Sequence, residues 1–356
     1  MLRKRLLHAA RAMTTPLLPD DYIGLLNPRW STREATGTIV RVTPETEEAS
    51  TVVIKPSHEW SGHKPGQYLR IGAEIDGVRH WRAYSITSDR DHPEGLVSIT
   101  VKYVEQGLMS PWFVRQARPG TLVFLGEVEG TFGLPEALPA KILSISAGSG
   151  ITPVMSMLRE LDRRDAVADV VHIHSTRTAE RFIFGPMFRE LAQRRAGYAL
   201  HERLTGERGR ITPAELDTLV PDWRERQTFL SGPRAMIDAF EAHYLEHGGE
   251  DTILRVERFQ PIIGTGNADV GSGGSVSFRV QDVQATCGVG ISILVGGEQA
   301  GAMLPFGCRM GICRTCVGKL RAGKVRDLRT GELFTDEGQT IRTCVNAPEG
   351  PIEIEL

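Results

Sequence analysis

The chain lacks any apolar run near the ~20 residues of a membrane-spanning helix, and it carries almost no net charge, −2 over 356 residues. The first absence excludes an ordinary helical membrane span. The second argues against a nucleic-acid binder that works through bulk charge, and no segment resembles a nucleic-acid-binding module. No internal repeat is found, so a length too great for one ordinary domain is shared between two or three unlike ones. Cysteine is scarce: five residues, which is no disulfide scaffold, and four of them fall within the last fifty positions. That clustering points to metal or redox chemistry. A secretory signal is also missing, because His8 and Arg11 interrupt the apolar stretch of the basic N-terminus. Leu2, Leu6, Ala10 and Met13 share one helical face there, ringed by Arg3, Lys4, Arg5 and Arg11. Residues 1–13 are therefore either a basic amphipathic segment suited to an anionic membrane or a frayed, solvated terminus.

What is present reads as soluble and globular, with 40% hydrophobic and 24% charged residues. From Gly37 to about Leu138, short β-branched or aromatic runs alternate with Gly and Pro turns. The runs Thr38–Val42, Thr51–Ile54, Gln67–Ile71, Arg82–Thr87, Leu96–Tyr103 and Leu122–Gly126 predict a small antiparallel β-barrel. From Lys141 to about Phe259 the rhythm changes. Strands at Ile142–Ser146, Val170–His174, Ala199–Arg203, Thr228–Leu230 and Ile253–Phe259 alternate with helices at Pro153–Arg163, Pro186–Arg195, Pro213–Leu219 and Arg234–His247. That alternation predicts an α/β domain with a parallel sheet. Pro153 and Pro213 suit a first helical turn, where a missing N–H is harmless. A Gly/Ser-rich run, Gly264 to Ser275, has little to bury and reads as a flexible linker. A strand pattern restarts at Val276. The expected domains are a 1–35 segment, a 36–138 barrel, a 139–260 α/β domain, a 261–275 linker and a 276–356 C-terminal domain.

The strongest motif is Cys308-x₄-Cys313-x₂-Cys316 with a distant Cys344, the plant-type [2Fe–2S] spacing. Four thiolates must converge on two irons; one tight loop delivers three and a distant segment the fourth. Gly307 and Gly311 let the loop backbone approach the sulfides, and Pro305 and Phe306 would keep water away. Zinc is disfavoured, since zinc motifs come as paired C-x₂-C units, often with His. Cys287 lies outside the pattern and reads as a small buried residue.

In the barrel, Arg82-Ala83-Tyr84-Ser85 sits on a predicted strand, so Arg82 and Tyr84 share a face. The guanidinium can pair with a phosphate, the ring can pack on an isoalloxazine, and the Ser85 hydroxyl can reach the ring edge. Val101-Lys102, followed by Gly107-Leu108-Met109-Ser110, offers a turn whose N–H groups suit a diphosphate. In the α/β region, Gly148-Ser149-Gly150-Ile151-Thr152-Pro153 joins a strand to a helix, a phosphate-cradling arrangement that is not G-x-G-x-x-G. Ser231-Gly232-Pro233 ends a later strand at the same sheet edge, where α/β folds place ligands.

On these motifs, the region from Gly37 to Phe259 resembles the ferredoxin–NADP reductase superfamily, with its R-x-Y-S, G-x-G-x-T-P and C-G-P elements. With the C-terminal cysteine domain, a β-grasp ferredoxin in that family, the whole chain resembles the reductase components of oxygenases and desaturases. Pro16–Tyr22 and Leu25–Pro28 resemble actinobacterial reductases that serve a membrane-bound acyl-CoA desaturase. The resemblance implies that Arg82, Tyr84 and Ser85 hold the flavin, and that Gly107 and Ser110 hold the FAD diphosphate, favouring FAD over FMN. It implies that Gly148, Gly150, Thr152 and Pro153 form the nicotinamide-nucleotide loop, and that Phe259 packs on the flavin or is an ordinary core aromatic. Ser231 replaces the family's frequent Cys, which puts any sulfur-specific role in doubt. No acid closes the strand at His174-Ser175-Thr176-Arg177; Ser175, Arg177 and Arg181 there could receive a 2′-phosphate, which favours NADPH over NADH. The expected activity is a cytoplasmic NAD(P)H-dependent reductase that passes single electrons to a membrane desaturase or, alternatively, to a soluble oxygenase. A non-enzymatic redox sensor would have no need of the flavin and nucleotide motifs.

Overall fold

A computed structural model of the protein describes residues 35–57, 60–91, 94–105, 107–248, 253–259, 272–306, 311 and 314–356. It divides into two units, one of Met1–His80 with Tyr84–Glu257 and one of Arg258–Leu356 with the short run Trp81–Ala83. Among the described residues, no helix is long and apolar enough to cross a membrane. The N-terminal segment 1–13 and most of the expected linker lie outside the described residues.

The first unit opens with six strands: β1 (Ala35–Thr46), β2 (Ala49–Pro56), β3 (Tyr68–Ile75), β4 (Val78–Ser85), β5 (Val97–Lys102) and β6 (Leu122–Glu129). They lie in the order β4-β3-β6-β1-β2-β5. A bridge from Ile86 to Ile99 joins the two edges, which removes the open strand edges. Each strand overlaps one of the six runs the sequence predicts, with ends that differ by up to four residues. β4 begins at Val78 rather than Arg82, because Asp76 and Gly77 both take positive φ, 52° and 77°, and so form the two-residue hairpin turn that favours Asp-Gly. Ile39, Ile54, Leu69, Ile71, Ile99 and Phe113 fill the interior.

The same unit continues with a five-stranded sheet, β7 (Ile142–Ala147), β8 (Val170–Thr176), β9 (Tyr198–Leu204), β10 (Gln227–Gly232) and β11 (Leu254–Arg258), in the order β11-β10-β7-β8-β9. The four strands β10, β7, β8 and β9 run parallel. Helices α1 (Ile151–Arg163), α2 (Gly185–Arg194) and α3 (Arg234–Glu246) connect them. Pro153 lies in the first turn of α1, as its missing N–H requires. The helix expected at Pro213–Leu219 is instead a 3₁₀ turn, Pro213–Glu215, followed by a single α turn. A Thr212/Glu215 capping box starts it.

The second unit holds β12 (Gly274–Phe278), β13 (Val283–Cys287), α4 (Ile293–Gln299), β14 (Val317–Ala322), β15 (Val325–Asp327), β16 (Leu333–Phe334), β17 (Thr340–Arg342), β18 (Asn346–Pro348) and β19 (Ile352–Glu355). The main sheet runs β13-β12-β19-β14-β17, with β12 and β19 parallel and the remaining pairs antiparallel. Helix α4 packs over it through Ile293 and Leu294. β12 starts inside the expected linker, because Gly274 already pairs with Cys287. A side chain at Gly274 would fall 1.9 Å from the Gly350 carbonyl oxygen. Glycine there serves close packing rather than flexibility.

Candidate functional site

The α/β half of the first unit contains a cavity of about 380 Å³ at the C-terminal edge of its sheet, the edge where such folds bind ligands. Gly148, Ser175, Arg177, Arg181 and Pro233, all expected from sequence, line it. So do Lys102, expected from sequence beside the flavin rather than the nucleotide, and Thr205, Arg210, Ile211, Met236 and Phe240, which no motif marks. The lining has four cationic side chains, Lys102, Arg177, Arg181 and Arg210, and no carboxylate. It therefore offers one basic wall for phosphates and one apolar wall, from Ile211, Met236 and Phe240, for a flat ring.

The predicted residues of the nucleotide loop and its strand edge are all among the described residues. Gly148 takes φ +54° with open space where a side chain would be. A Cβ on Gly150 would fall 2.3 Å from the Ser231 carbonyl oxygen, so the β7–α1 turn can touch the end of β10 only through glycine. Thr152 Oγ1 donates to the Ser149 carbonyl at 2.9 Å and closes the turn. Ser175 Oγ is buried in the cavity wall without a hydrogen-bond partner. A buried hydroxyl without a partner is costly, and a bound phosphate or ribose oxygen would satisfy it. Arg177 is exposed at the rim, and its carbonyl accepts the Gly206 N–H. Arg181 pairs with Glu48 of the barrel at 3.0 Å and so ties the two lobes together, while Lys102 pairs with the same carboxylate from within the barrel at 4.0 Å.

Ser231 is not part of that cavity. It stands in register with Ser146, and Ser146 with His174, so all three share the face opposite to Ala147 and Ser175. Ser231 is fully buried and its Oγ has no partner. Beside it, Ser146 Oγ bonds His172 Nε2 at 2.9 Å and His174 Nδ1 at 2.8 Å, and His172 Nδ1 bonds the Tyr198 hydroxyl at 2.7 Å. Burial holds both imidazoles neutral, pushing His172 down to about 3. Gly232 lies against Met236 and Ala147, and Pro233 precedes α3.

In the barrel, Arg82 is half-buried on β4 and donates to the Trp81 carbonyl at 2.8 Å. Tyr84 meets Phe113 edge-on at 5.6 Å and packs against the barrel core; Ser85 is buried. Val101 departs from expectation. Its side chain is wholly enclosed in the barrel core, because alternation along β5 turns it inward, so only its backbone can face a ligand. Gly107 N–H bonds the Val104 carbonyl at 2.9 Å, and Ser110 Oγ accepts the Val104 N–H at 3.2 Å. Val104 thus links the two residues expected to meet a diphosphate. Phe259 follows β11, half-buried. Glu257 on β11 was not marked by any motif; burial of its carboxyl raises its pKa to about 7.

In the second unit, Cys316 and Cys344 are buried with their sulfurs 3.1 Å apart. That is too long for a disulfide and close enough for two thiolates to share one metal. Gly311, at φ +69°, aims its N–H at Cys344 Sγ from 3.2 Å, a contact to a ligand sulfur where the sequence suggested one to the inorganic sulfides. A side chain there would fall 2.6 Å from Val345. Arg342 donates to the Gly311 carbonyl at 2.6 Å, and Thr343 Oγ1 to the Cys316 carbonyl at 3.0 Å. Cys308, Cys313 and Gly307 lie outside the described residues. Pro305 and Phe306 are exposed at the surface. Cys287 is buried between β13 and α4, with Gly296 closing on its sulfur, and desolvation pushes its thiol up to about 11. A thiol held protonated is a packing residue, as its place outside the motif suggests.

Comparison with known proteins agrees with this layout. Residues 39–134 match the oxidoreductase FAD-binding domain, 145–242 the oxidoreductase NAD-binding domain and 278–349 the 2Fe-2S iron-sulfur cluster binding domain. An NADPH oxidoreductase of Mycobacterium tuberculosis is 43% identical over 98% of this chain and 91% of its own length. A glycine betaine monooxygenase reductase subunit of Pseudomonas aeruginosa is 30% identical, over 82% and 87%. Among solved structures, phthalate dioxygenase reductase shares the fold at TM-score 0.57 and 19% identity, covering 90% of this chain and 97% of that one.

Proposed function

The chain belongs to the NAD(P)H-dependent oxidoreductases that join FAD- and NAD-binding domains to a 2Fe-2S domain, and from that premise we propose that it is the reductase component of an oxygenase, drawing on NADPH. When bound, FAD would supply two-electron hydride chemistry and a [2Fe–2S] cluster one-electron chemistry. The protein's part is to bind, orient and insulate. Gly148, Gly150, Thr152 and Pro153 present the head of α1 to the nucleotide diphosphate, with Gly232 and Pro233 closing the opposite side. Ser175 and Arg177, joined by Arg210, take the 2′-phosphate, while Phe240 and Met236 cover the adenine. Arg82, Tyr84, Ser85, Lys102, Gly107 and Ser110, with the Val101 backbone, hold FAD; Ser231 and Phe259 border the flavin ring. Cys308, Cys313, Cys316 and Cys344 hold the cluster.

The observation that carries the NADPH preference is the pair Arg177 and Arg210 in the cavity lining together with an unpartnered Ser175 hydroxyl. The oxygenase acceptor is supported by the relative that serves a monooxygenase at 30% identity. The membrane desaturase suggested by residues 16–28 draws no support from either named relative. The boundaries 1–35, 36–138, 139–260, 261–275 and 276–356 are retained in this reading, with the last domain beginning at Gly274.

Anaerobic titration with NADPH, followed by visible absorbance and low-temperature EPR, tests the proposal. Flavin bleaching together with the rhombic signal of one reduced [2Fe–2S] centre is expected. Bleaching without that signal would disconnect the cluster, and no response to NADPH or NADH would remove the reductase reading.

A further inference from the structure

One face of α1 fastens the α/β lobe to the barrel. Ser156, fully buried one turn beyond Pro153, donates from Oγ to the Pro153 carbonyl at 2.9 Å and accepts the Gly66 N–H at 2.8 Å. Gly66 has no room to shift. It takes φ +91°, and a side chain there would lie 2.0 Å from the Phe132 carbonyl oxygen. Arg159, one turn further, donates from Nη1 to the carbonyl of buried Thr87 at 2.6 Å. Its guanidinium also lies 5.7 Å from the Phe184 ring. Arg163, a further turn on, pairs with Asp89 at 3.5 Å and Asp91 at 2.9 Å. Positions 156, 159 and 163 follow the i, i+3, i+7 spacing of a single helix face.

These contacts join particular places. The head of α1 is the nucleotide loop, Gly148–Pro153. Thr87 lies two residues beyond Ser85 on the run that carries Arg82, Tyr84 and Ser85. Hydride transfer requires reacting atoms about 3–3.5 Å apart, and an error near 1 Å costs on the order of 100-fold in rate. The Arg163 pairs are partly exposed and add little. Ser156 and Arg159 act on buried backbone groups instead, where losing a partner is expensive.

We infer that Ser156 and Arg159 are positioning residues, which set the distance between the nucleotide loop and the flavin-bearing strand and hence the rate of hydride transfer. The inference rests on the reductase reading above. Neither residue touches the nucleotide cavity, so they act through α1 and Thr87 rather than on a ligand.

The test uses the full FAD-loaded chain and the variants Ser156→Ala, Arg159→Gln and Arg159→Lys. Stopped-flow bleaching of the flavin at saturating NADPH is expected to slow at least tenfold in the first two. The dissociation constant for 2′,5′-ADP, which fills the nucleotide site without a nicotinamide, should stay within twofold. Amide hydrogen exchange should rise at Gly66 in Ser156→Ala and around residues 86–89 in Arg159→Gln. Arg159→Lys, which keeps one donor for the Thr87 carbonyl, should recover most of the rate. Wild-type bleaching rates in both Ser156→Ala and Arg159→Gln would overturn the inference and leave the reductase reading standing. Loss of 2′,5′-ADP binding in parallel with rate would overturn it too, since the role would then be structural. If Arg159→Gln does not fold, Ser156→Ala, which removes one oxygen, decides alone. A wild-type chain that NADPH and NADH both fail to reduce would remove the reductase reading and this inference with it.

Discussion

At the scale of single residues, the chemistry-bearing positions were legible wherever a motif fixes spacing, and hidden wherever the fold recruits a residue from afar. Gly150, Gly311 and Cys344 could be marked because thiolate and phosphate chemistry restricts both type and interval. Arg210 and Phe240 could not, since they reach the cavity from a loop and a helix with no spacing rule of their own. Val101 shows a different limit: strand alternation turns its side chain into the core, which leaves its backbone as the part able to face a ligand. Arg177 carries a direct prediction. Arg177→Ala should raise the Michaelis constant for NADPH about 10- to 100-fold, the worth of a charge-assisted hydrogen bond, and barely move that for NADH; equal effects would remove its 2′-phosphate role. Glu257 supplies a pH prediction. Burial raises its pKa from 4.5 to about 7, so between those values the folded chain holds a proton that the unfolded chain has released. Stability then falls as pH rises through that window. Thermal unfolding from pH 5 to 8 should show a decline in the wild type that Glu257→Gln flattens; parallel profiles would mean the carboxyl is not desolvated.

At the scale of elements, strand and helix types were readable because hydrophobic period and turn chemistry agreed, as at the Asp76-Gly77 hairpin and the Thr212–Glu215 cap. Helix α4 was not. Its sequence, Ile293 to Gln299, contains Gly296 and Gly297, which lower helix propensity. Tertiary packing overrides that cost: side chains at those positions would fall 2.2 Å from Cys287 Sγ and 2.5 Å from Leu304. The β7–α1 turn separates two uses of glycine. Gly148 needs its positive φ and meets nothing, whereas Gly150 has φ −60° and no room against the Ser231 backbone. Gly148→Ala should therefore cost only the strain of a left-handed residue, about 1–2 kcal/mol. Gly150→Ala must push β10 away from the turn and should lower the unfolding midpoint further while weakening NADPH binding. Thermal melts of the two variants side by side check the order, and a reversed order would deny that the close approach holds the turn.

At the scale of the whole molecule, one unit gathers both the flavin and nucleotide domains, while the iron–sulfur domain forms a second. The expected linker ahead of β12, from Gly264 to Ser272, contains three glycines and no large apolar residue except Val270. Such a segment supplies little surface to bury against the conformational entropy of ordering it. A one-electron carrier that exchanged with both the flavin and a separate protein would gain from freedom in such a link, because two exchanges could then share one cluster. Deleting Asn267–Ser272 shortens the reach of the link without touching any residue assigned to a cofactor. The expected result is unchanged flavin bleaching by NADPH and slower reduction of a coupled acceptor, read by stopped-flow absorbance of the flavin and by the rate of acceptor reduction in the same preparation. Slower bleaching as well would mean that the deletion disturbs the first unit. Full acceptor turnover in the shortened chain would show that the cluster serves both exchanges from a fixed position, with the linker a tether and nothing more.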